Sequence, residues 1–214
     1  TGKQIKPKVT IGSTCTNLVA QNASQLACRE FLVSRLALFD LNKNTKRTLT
    51  DPEQNPGWRS YPFALSQDGS LVAVKWNLMI YIFETRSGTR VQTLPLVLPE
   101  TSSFVFSPDN TRLVTLGSRK VQMWNLADQS LAAEFVWEAD ILVAAAFSPD
   151  GKWLATGSRD GTAQIWRLAD GQLADVINGL PDSVAYLAFS PDSLSLAVSC
   201  RDDQTRLFDI SSVK

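Results

Sequence analysis

The tetrapeptide Phe-Ser-Pro-Asp occurs three times, at 106–109, 147–150 and 189–192, at intervals of 41 and 42 residues. A fixed period of this size is the mark of a chain built from repeated supersecondary units. Stepping back by the same interval leads to Ala64-Leu65-Ser66-Gln67-Asp68-Gly69, the same turn with Gln in place of Pro. A fainter copy lies at Ala20-Gln21-Asn22-Ala23-Ser24.

Residues 143–177 show one unit most clearly. A short apolar run, Val143 to Phe147, meets Ser148-Pro149-Asp150-Gly151. Pro fixes φ there, Asp bonds its own backbone and Gly accepts positive φ, so this is a tight turn. Trp153 to Thr156 is a second run, Ser158-Arg159-Asp160-Gly161 a second turn, and Ala163 to Leu168 a third run. Ala169-Asp170-Gly171 turns again into Leu173 to Ile177. Four short runs joined by tight turns predict an antiparallel meander. Turn residues recur about every ten residues, too often for ordinary helices. A lone four-stranded sheet cannot bury both faces, so neighbouring units must stack. The fold class expected is all-β.

Composition narrows the chemistry. The 214 residues include no histidine, which removes His-based catalytic arrangements, His metal sites and the usual pH switch. Lys+Arg and Asp+Glu are both 21. Zero net charge argues against nucleic acid or a membrane surface as the partner. The three cysteines, Cys15, Cys28 and Cys200, form no C-x-x-C pair. They are read as small buried thiols, which predicts a cytoplasmic protein. No apolar stretch approaches twenty residues. Asn22-Ala23-Ser24 is read as a chance sequon. Phosphate-loop, dinucleotide and nucleophile-elbow motifs are not found in the sequence, so no catalytic residue, metal or cofactor is expected.

Ser-Pro-Asp-Gly, then Leu-Ala-Thr-Gly-Ser-Arg-Asp-Gly-Thr, then Ile-Trp, resembles the WD-repeat (WD40) family, most closely over residues 145–171. The resemblance implies a β-propeller of four-stranded blades. The family's Trp-Asp dipeptide is read here as Phe39-Asp40, Phe83-Glu84, Trp124-Asn125, Trp166-Arg167 and Phe208-Asp209. Its Gly-His dipeptide is missing. The family's Asp-His-Ser/Thr-Trp hydrogen-bond network is therefore incomplete; Ser158, Asp160 and Trp166 stand at three of its four places, and Asp202 takes the structural role of Asp160. Five blades are expected, at about 13–50, 58–96, 100–136, 140–178 and 183–214, with residues 1–12 as an outer strand. Thr1-Gly2-Lys3-Gln4-Ile5 matches the lead into a fourth strand, while the last repeat stops after a third. Two arrangements follow: the first strand completes the last blade and closes a ring, or the chain is a piece of a larger propeller. The second is preferred, because the family most often uses seven blades and the chain does not begin with Met. A piece would expose an apolar blade face.

The resemblance also sorts the turns. Those between second and third strands, which carry Arg119, Arg159 and Arg201 with Lys75 and Arg29 nearby, share one face with the links between blades. Turns between first and second strands carry Asp68, Asp109, Asp150 and Asp192 on the other. These Asp residues are turn formers. The arginines are solvated surface charges or contacts for a partner, Arg being favoured at interface hot spots. Trp58 and Arg59 in one link and Trp137 in another are anchors for the same partner, or packing between blades. Trp76 and Trp153 are read as core. The resemblance implies a non-catalytic scaffold or sensor module of bacterial type, binding other proteins or the rest of a longer chain. Two other functions stay open: a small-ligand or metal-dependent enzyme using channel carboxylates, and an architectural part of a larger assembly.

Overall fold

The computed structural model describes residues 15–20, 25–30, 35–40, 43, 45–49, 62–76, 78–95, 101, 103–136 and 140–213. The proposed outer strand within residues 1–12 and the link residues Trp58, Arg59 and Trp137 lie outside them.

The described residues form five antiparallel sheets. The first comprises β1 (Cys15–Ala20), β2 (Gln25–Glu30), β3 (Arg35–Asp40) and β4 (Thr45–Leu49). The second comprises β5 (Phe63–Leu65), β6 (Leu71–Trp76), β7 (Met79–Glu84) and β8 (Arg90–Pro95). The third comprises β9 (Ser103–Phe106), β10 (Arg112–Leu116), β11 (Lys120–Asn125) and β12 (Leu131–Val136). The fourth comprises β13 (Leu142–Phe147), β14 (Trp153–Ser158), β15 (Ala163–Arg167) and β16 (Leu173–Ile177). The fifth has three strands among the described residues: β17 (Val184–Phe189), β18 (Ser195–Cys200) and β19 (Thr205–Asp209). Each sheet is a simple meander in chain order, the blade arrangement expected of a WD40-type β-propeller. The five aromatic-plus-polar dipeptides all fall at the ends of third strands.

The period of two sends alternate side chains to opposite faces, and in the inner sheets both faces are buried. In the third sheet Phe104, Phe106, Leu113 and Trp124 pack back onto Ala64, Ala73, Ile80 and Ile82 of the second. Its other face, Val114, Leu116, Val121 and Met123, meets Leu142, Leu154 and Trp166 of the fourth. The first and second sheets, and the fourth and fifth, are joined in the same way. Four apolar layers thus hold five sheets in chain order, and the first strands of successive sheets lie beside one another. Where two sheets come closest, side-chain volume disappears. A Cβ on Gly157 would stand 2.4 Å from Val184 Cγ1.

The outer strands are irregular at one recurring place. In the second, third and fourth sheets the pairing shifts next to the third-strand aromatic, between Ile82/Phe83, Met123/Trp124 and Ile165/Trp166. The extra residue falls on the outermost strand, as Val91, Ala132 or Ala174. Such bulges twist an edge away from further pairing.

Among the described residues the fifth sheet is the last of the stack. Leu207 pairs with Ala197 just as Ile82 pairs with Ala73, Met123 with Val114 and Ile165 with Ala155. The other three are at most 3% exposed, whereas Leu207 is 76% exposed, as is Tyr186 on the same face. An apolar sheet face is therefore open to solvent.

Candidate interaction surface

The two ends of each sheet are built differently. The first-to-second turns repeat one hydrogen-bond unit four times. Ser66, Ser107, Ser148 and Ser190 donate through Oγ to Asp68, Asp109, Asp150 and Asp192 respectively. Each carboxylate also accepts from the backbone two residues on, at Ser70, Thr111, Lys152 and Leu194 (2.9–3.1 Å). Each Ser Oγ in turn accepts from the first backbone N–H of the next strand, at 2.9 Å. The turn closes on a left-handed residue: Gly69, Asn110, Gly151 or Ser193 (φ 58–73°). Asp68 shows the electrostatic result. Burial raises its pKa, but the hydrogen bonds from Ser70, Ser66 and Asn110 outweigh it and hold the carboxyl at about 2. The same balance lowers Asp109 and Asp150, and hydrogen bonds from Ser190 and Leu194 lower Asp192. These carboxylates are occupied in holding their turns.

Two residues of this unit were not singled out by the repeat. Asn110 reaches back to Asp68 in the preceding sheet. Ser193 Oγ accepts from the Asp150 backbone N–H at 3.2 Å. Both replace the turn Gly and tie neighbouring sheets together. The signal was the departure from Gly at the fourth place of the turn.

The second-to-third turns carry the arginines. Arg119, Arg159 and Arg201 sit at the tips of hairpins in three successive sheets, all exposed. Two have pinned backbones: Arg159 N–H donates to Ile141 O at 2.9 Å, and Arg201 N–H to Ser183 O at 3.0 Å. In the third sheet Leu142 N–H donates to Ser118 O at 3.2 Å, beside Arg119. Asp160 caps its turn by accepting from Thr162 N–H and Oγ (3.0 and 2.6 Å). Asp202 accepts from Gln204 N–H at 3.1 Å and pairs with Arg206 at 2.6 Å. Gly161, at φ 78°, is pressed against the following link; a Cβ there would lie 2.6 Å from Leu180 O. The hairpins are held rigidly while the three guanidinium groups make no side-chain hydrogen bond or ion pair among the described residues.

Two sequence-level expectations need correction. Lys75 does not join the exposed cations; it lies in β6, 8% exposed, and its Nζ donates to Thr101 O at 3.4 Å. Trp166 does not bond Ser158. Its Nε1 donates to Thr156 Oγ1 at 3.0 Å, because Trp166 pairs with Leu154 and Thr156 is its nearest polar neighbour on that face. Ser158 lies one pair further along and accepts from Asp160 N–H at 3.4 Å. Arg29 stands near the end of β2, beside the second-to-third turn. Trp76 is buried beside Tyr81, and Trp153 is half-buried against the layer between the fourth and fifth sheets.

Cys200 is a buried free thiol, its pKa raised chiefly by burial. Among the described residues no three Cys, Asp or Glu side chains gather as metal ligands would. No helix there is long and apolar enough to cross a membrane.

Residues 136–167 match the family model described as WD domain, G-beta repeat. The chain is 29% identical over 127 residues to an uncharacterized WD repeat-containing protein of Synechocystis sp.. That stretch is 58% of this chain and 36% of the relative. It is also 32% identical over 94 residues to the Target of rapamycin complex subunit wat1 of Schizosaccharomyces pombe, covering 43% of this chain and 30% of that subunit. The matched stretches thus span about a third of each relative's length.

Proposed function

We propose that this array of WD-type repeats is a non-catalytic platform that binds another protein through the end carrying Arg119, Arg159 and Arg201. One observation carries the reading. Equivalent turns of three successive sheets present guanidinium groups with no side-chain partner among the described residues, on hairpins fixed by backbone hydrogen bonds. A rigid row of forks suits carboxylates on a folded or extended partner, since Arg binds carboxylate in a bidentate manner and loses little freedom in doing so. Membership of a complex, as in the fission-yeast relative, is part of this proposal, as is a cytoplasmic location suited to the free Cys200 thiol. Zero net charge favours a protein over nucleic acid as the partner.

Affinity capture with the immobilised chain, followed by identification of retained proteins and titration of the leading one, tests the proposal. Each single Arg→Ala change is expected to weaken binding by about tenfold, roughly 1.4 kcal/mol. A partner that binds the triple Ala variant as tightly as the parent chain would overturn it.

A further inference from the structure

We infer that the opposite end of the molecule has a second binding site, a cleft at the boundary of the third and fourth sheets that takes an acidic peptide segment carrying apolar side chains. The inference rests on the reading of the chain as a protein-binding platform, but it concerns different residues. The cleft has a volume of about 430 Å³ and is lined by Arg112, Lys152, Trp153, Arg167 and Leu168 with the backbone around Gly151. Among the described residues, three cations and no carboxylate line it. A smaller hollow of about 280 Å³ continues it past Arg112 and Leu168 toward Phe147 and Pro149.

The cations differ in how they are held. Lys152 Nζ lies 3.4 Å from Asp150 Oδ2, and Arg167 Nη1 lies 2.8 Å from Asp170 Oδ2. Both pairs are solvent-accessible, of the kind that contributes little and is readily exchanged for another carboxylate. Arg112 has no carboxylate partner among the described residues; its Nη1 reaches only the Met123 thioether, at 3.7 Å. A thioether is a weak acceptor, so the guanidinium keeps nearly all its capacity for a carboxylate. The carboxylates at the edge of the adjoining hollow, Asp109 and Asp150, point into their own turns. The Arg167 guanidinium stacks 6.0 Å from the centre of the Trp153 ring. Trp153 and Leu168 supply an apolar wall beside the charges.

That combination selects the ligand. A carboxylate bridging Arg112 and Arg167 would leave the neighbouring side chain against Trp153 and Leu168, so alternating acidic and apolar residues fit best. A nucleic acid would need a longer track of cations than these three, and the chain has no basic excess to extend it.

The test is fluorescence anisotropy of the full chain with a labelled peptide of alternating Glu with Leu and Phe, and a matched peptide with Lys in place of Glu. The Glu peptide should bind and the Lys peptide should not. Arg112→Ala and the milder Arg112→Gln should each weaken binding at least tenfold, with unchanged thermal melting showing that the fold is intact. Arg112→Glu should reverse the preference between the two peptides. Arg119→Ala, Arg159→Ala and Arg201→Ala should leave peptide binding as it is. Undiminished binding by Arg112→Gln, or tighter Arg112-dependent binding of an oligothymidylate, overturns the inference. Loss of the cleft result alone leaves the arginine face standing. Loss of partner capture at that face, with the peptide still bound, removes the earlier reading instead.

Discussion

At the scale of single residues, two tryptophans at the same place in consecutive repeats have different polar fates. Trp166 Nε1 donates to Thr156, whereas Trp124 Nε1 is buried with no acceptor among the described residues. Thr115 stands where Thr156 does, but its hydroxyl is turned toward Gln122 O at 3.5 Å. Thr156→Val would strand the Trp166 indole and should destabilise the protein by about 1–3 kcal/mol. Thr115→Val breaks only a long contact and should cost well under about 1 kcal/mol. Urea titration of the two variants reads the difference directly. Comparing the two repeats as strings shows the same Thr and the same Trp. Hydroxyl direction depends on the side-chain rotamer and its packing, and for that reason it was not legible in the sequence.

Among the elements, the Ser-x-Asp turns are what the repeat described best. The residues that made the period visible are the ones that bond within the turn, over a span of five positions, so local chemistry suffices to specify them. Their energetic consequence is a dependence on pH. Asp68 has its folded pKa held at about 2, below the ordinary 3.8. A depressed carboxyl stabilises the fold fully above its unfolded pKa and loses that contribution as pH falls through the folded value. Asp109, Asp150 and Asp192 are shifted in the same direction. Stability measured by denaturant titration should therefore fall steeply between about pH 4 and pH 2, and Asp68→Asn should flatten part of that fall. Contacts between elements are equally specific. Gly157→Ala would force a methyl into Val184 and should cost about 1–3 kcal/mol by overpacking. A rise in stability for that variant would show that the fourth and fifth sheets are less closely packed than described.

For the molecule as a whole, the open face of the fifth sheet is the dominant surface feature. Leu207 occupies the place that is buried between sheets everywhere else in the stack, and Tyr186 lies beside it. Contiguous apolar surface of this sort drives association. The chain should sediment with a concentration-dependent mass, and Leu207→Ser with Tyr186→Ser should shift it toward monomer. Burying one Leu is worth about 1.5–3 kcal/mol, so the change should weaken association by roughly an order of magnitude or more. Concentration-independent sedimentation of the unmodified chain would contradict this.

The sequence by itself determined the all-β class, the four-strand unit, the identity of the turns and the alternation along each strand. All of these follow from interactions within a few residues, repeated often enough to be recognised. It also placed Arg119, Arg159 and Arg201 at one end, because an antiparallel meander must send alternate turns to opposite ends. Only the tertiary structure decided which face of a sheet meets which neighbour, since both faces are apolar and a period of two distinguishes the faces without assigning their partners. It buried Lys75, gave Trp166 its acceptor, set Asn110 and Ser193 as ties between sheets, and gathered Arg112, Lys152 and Arg167 around Trp153. Those cations come from two repeats and three strand ends, and they meet only because sheet stacking brings residues some forty positions apart within reach of one ligand.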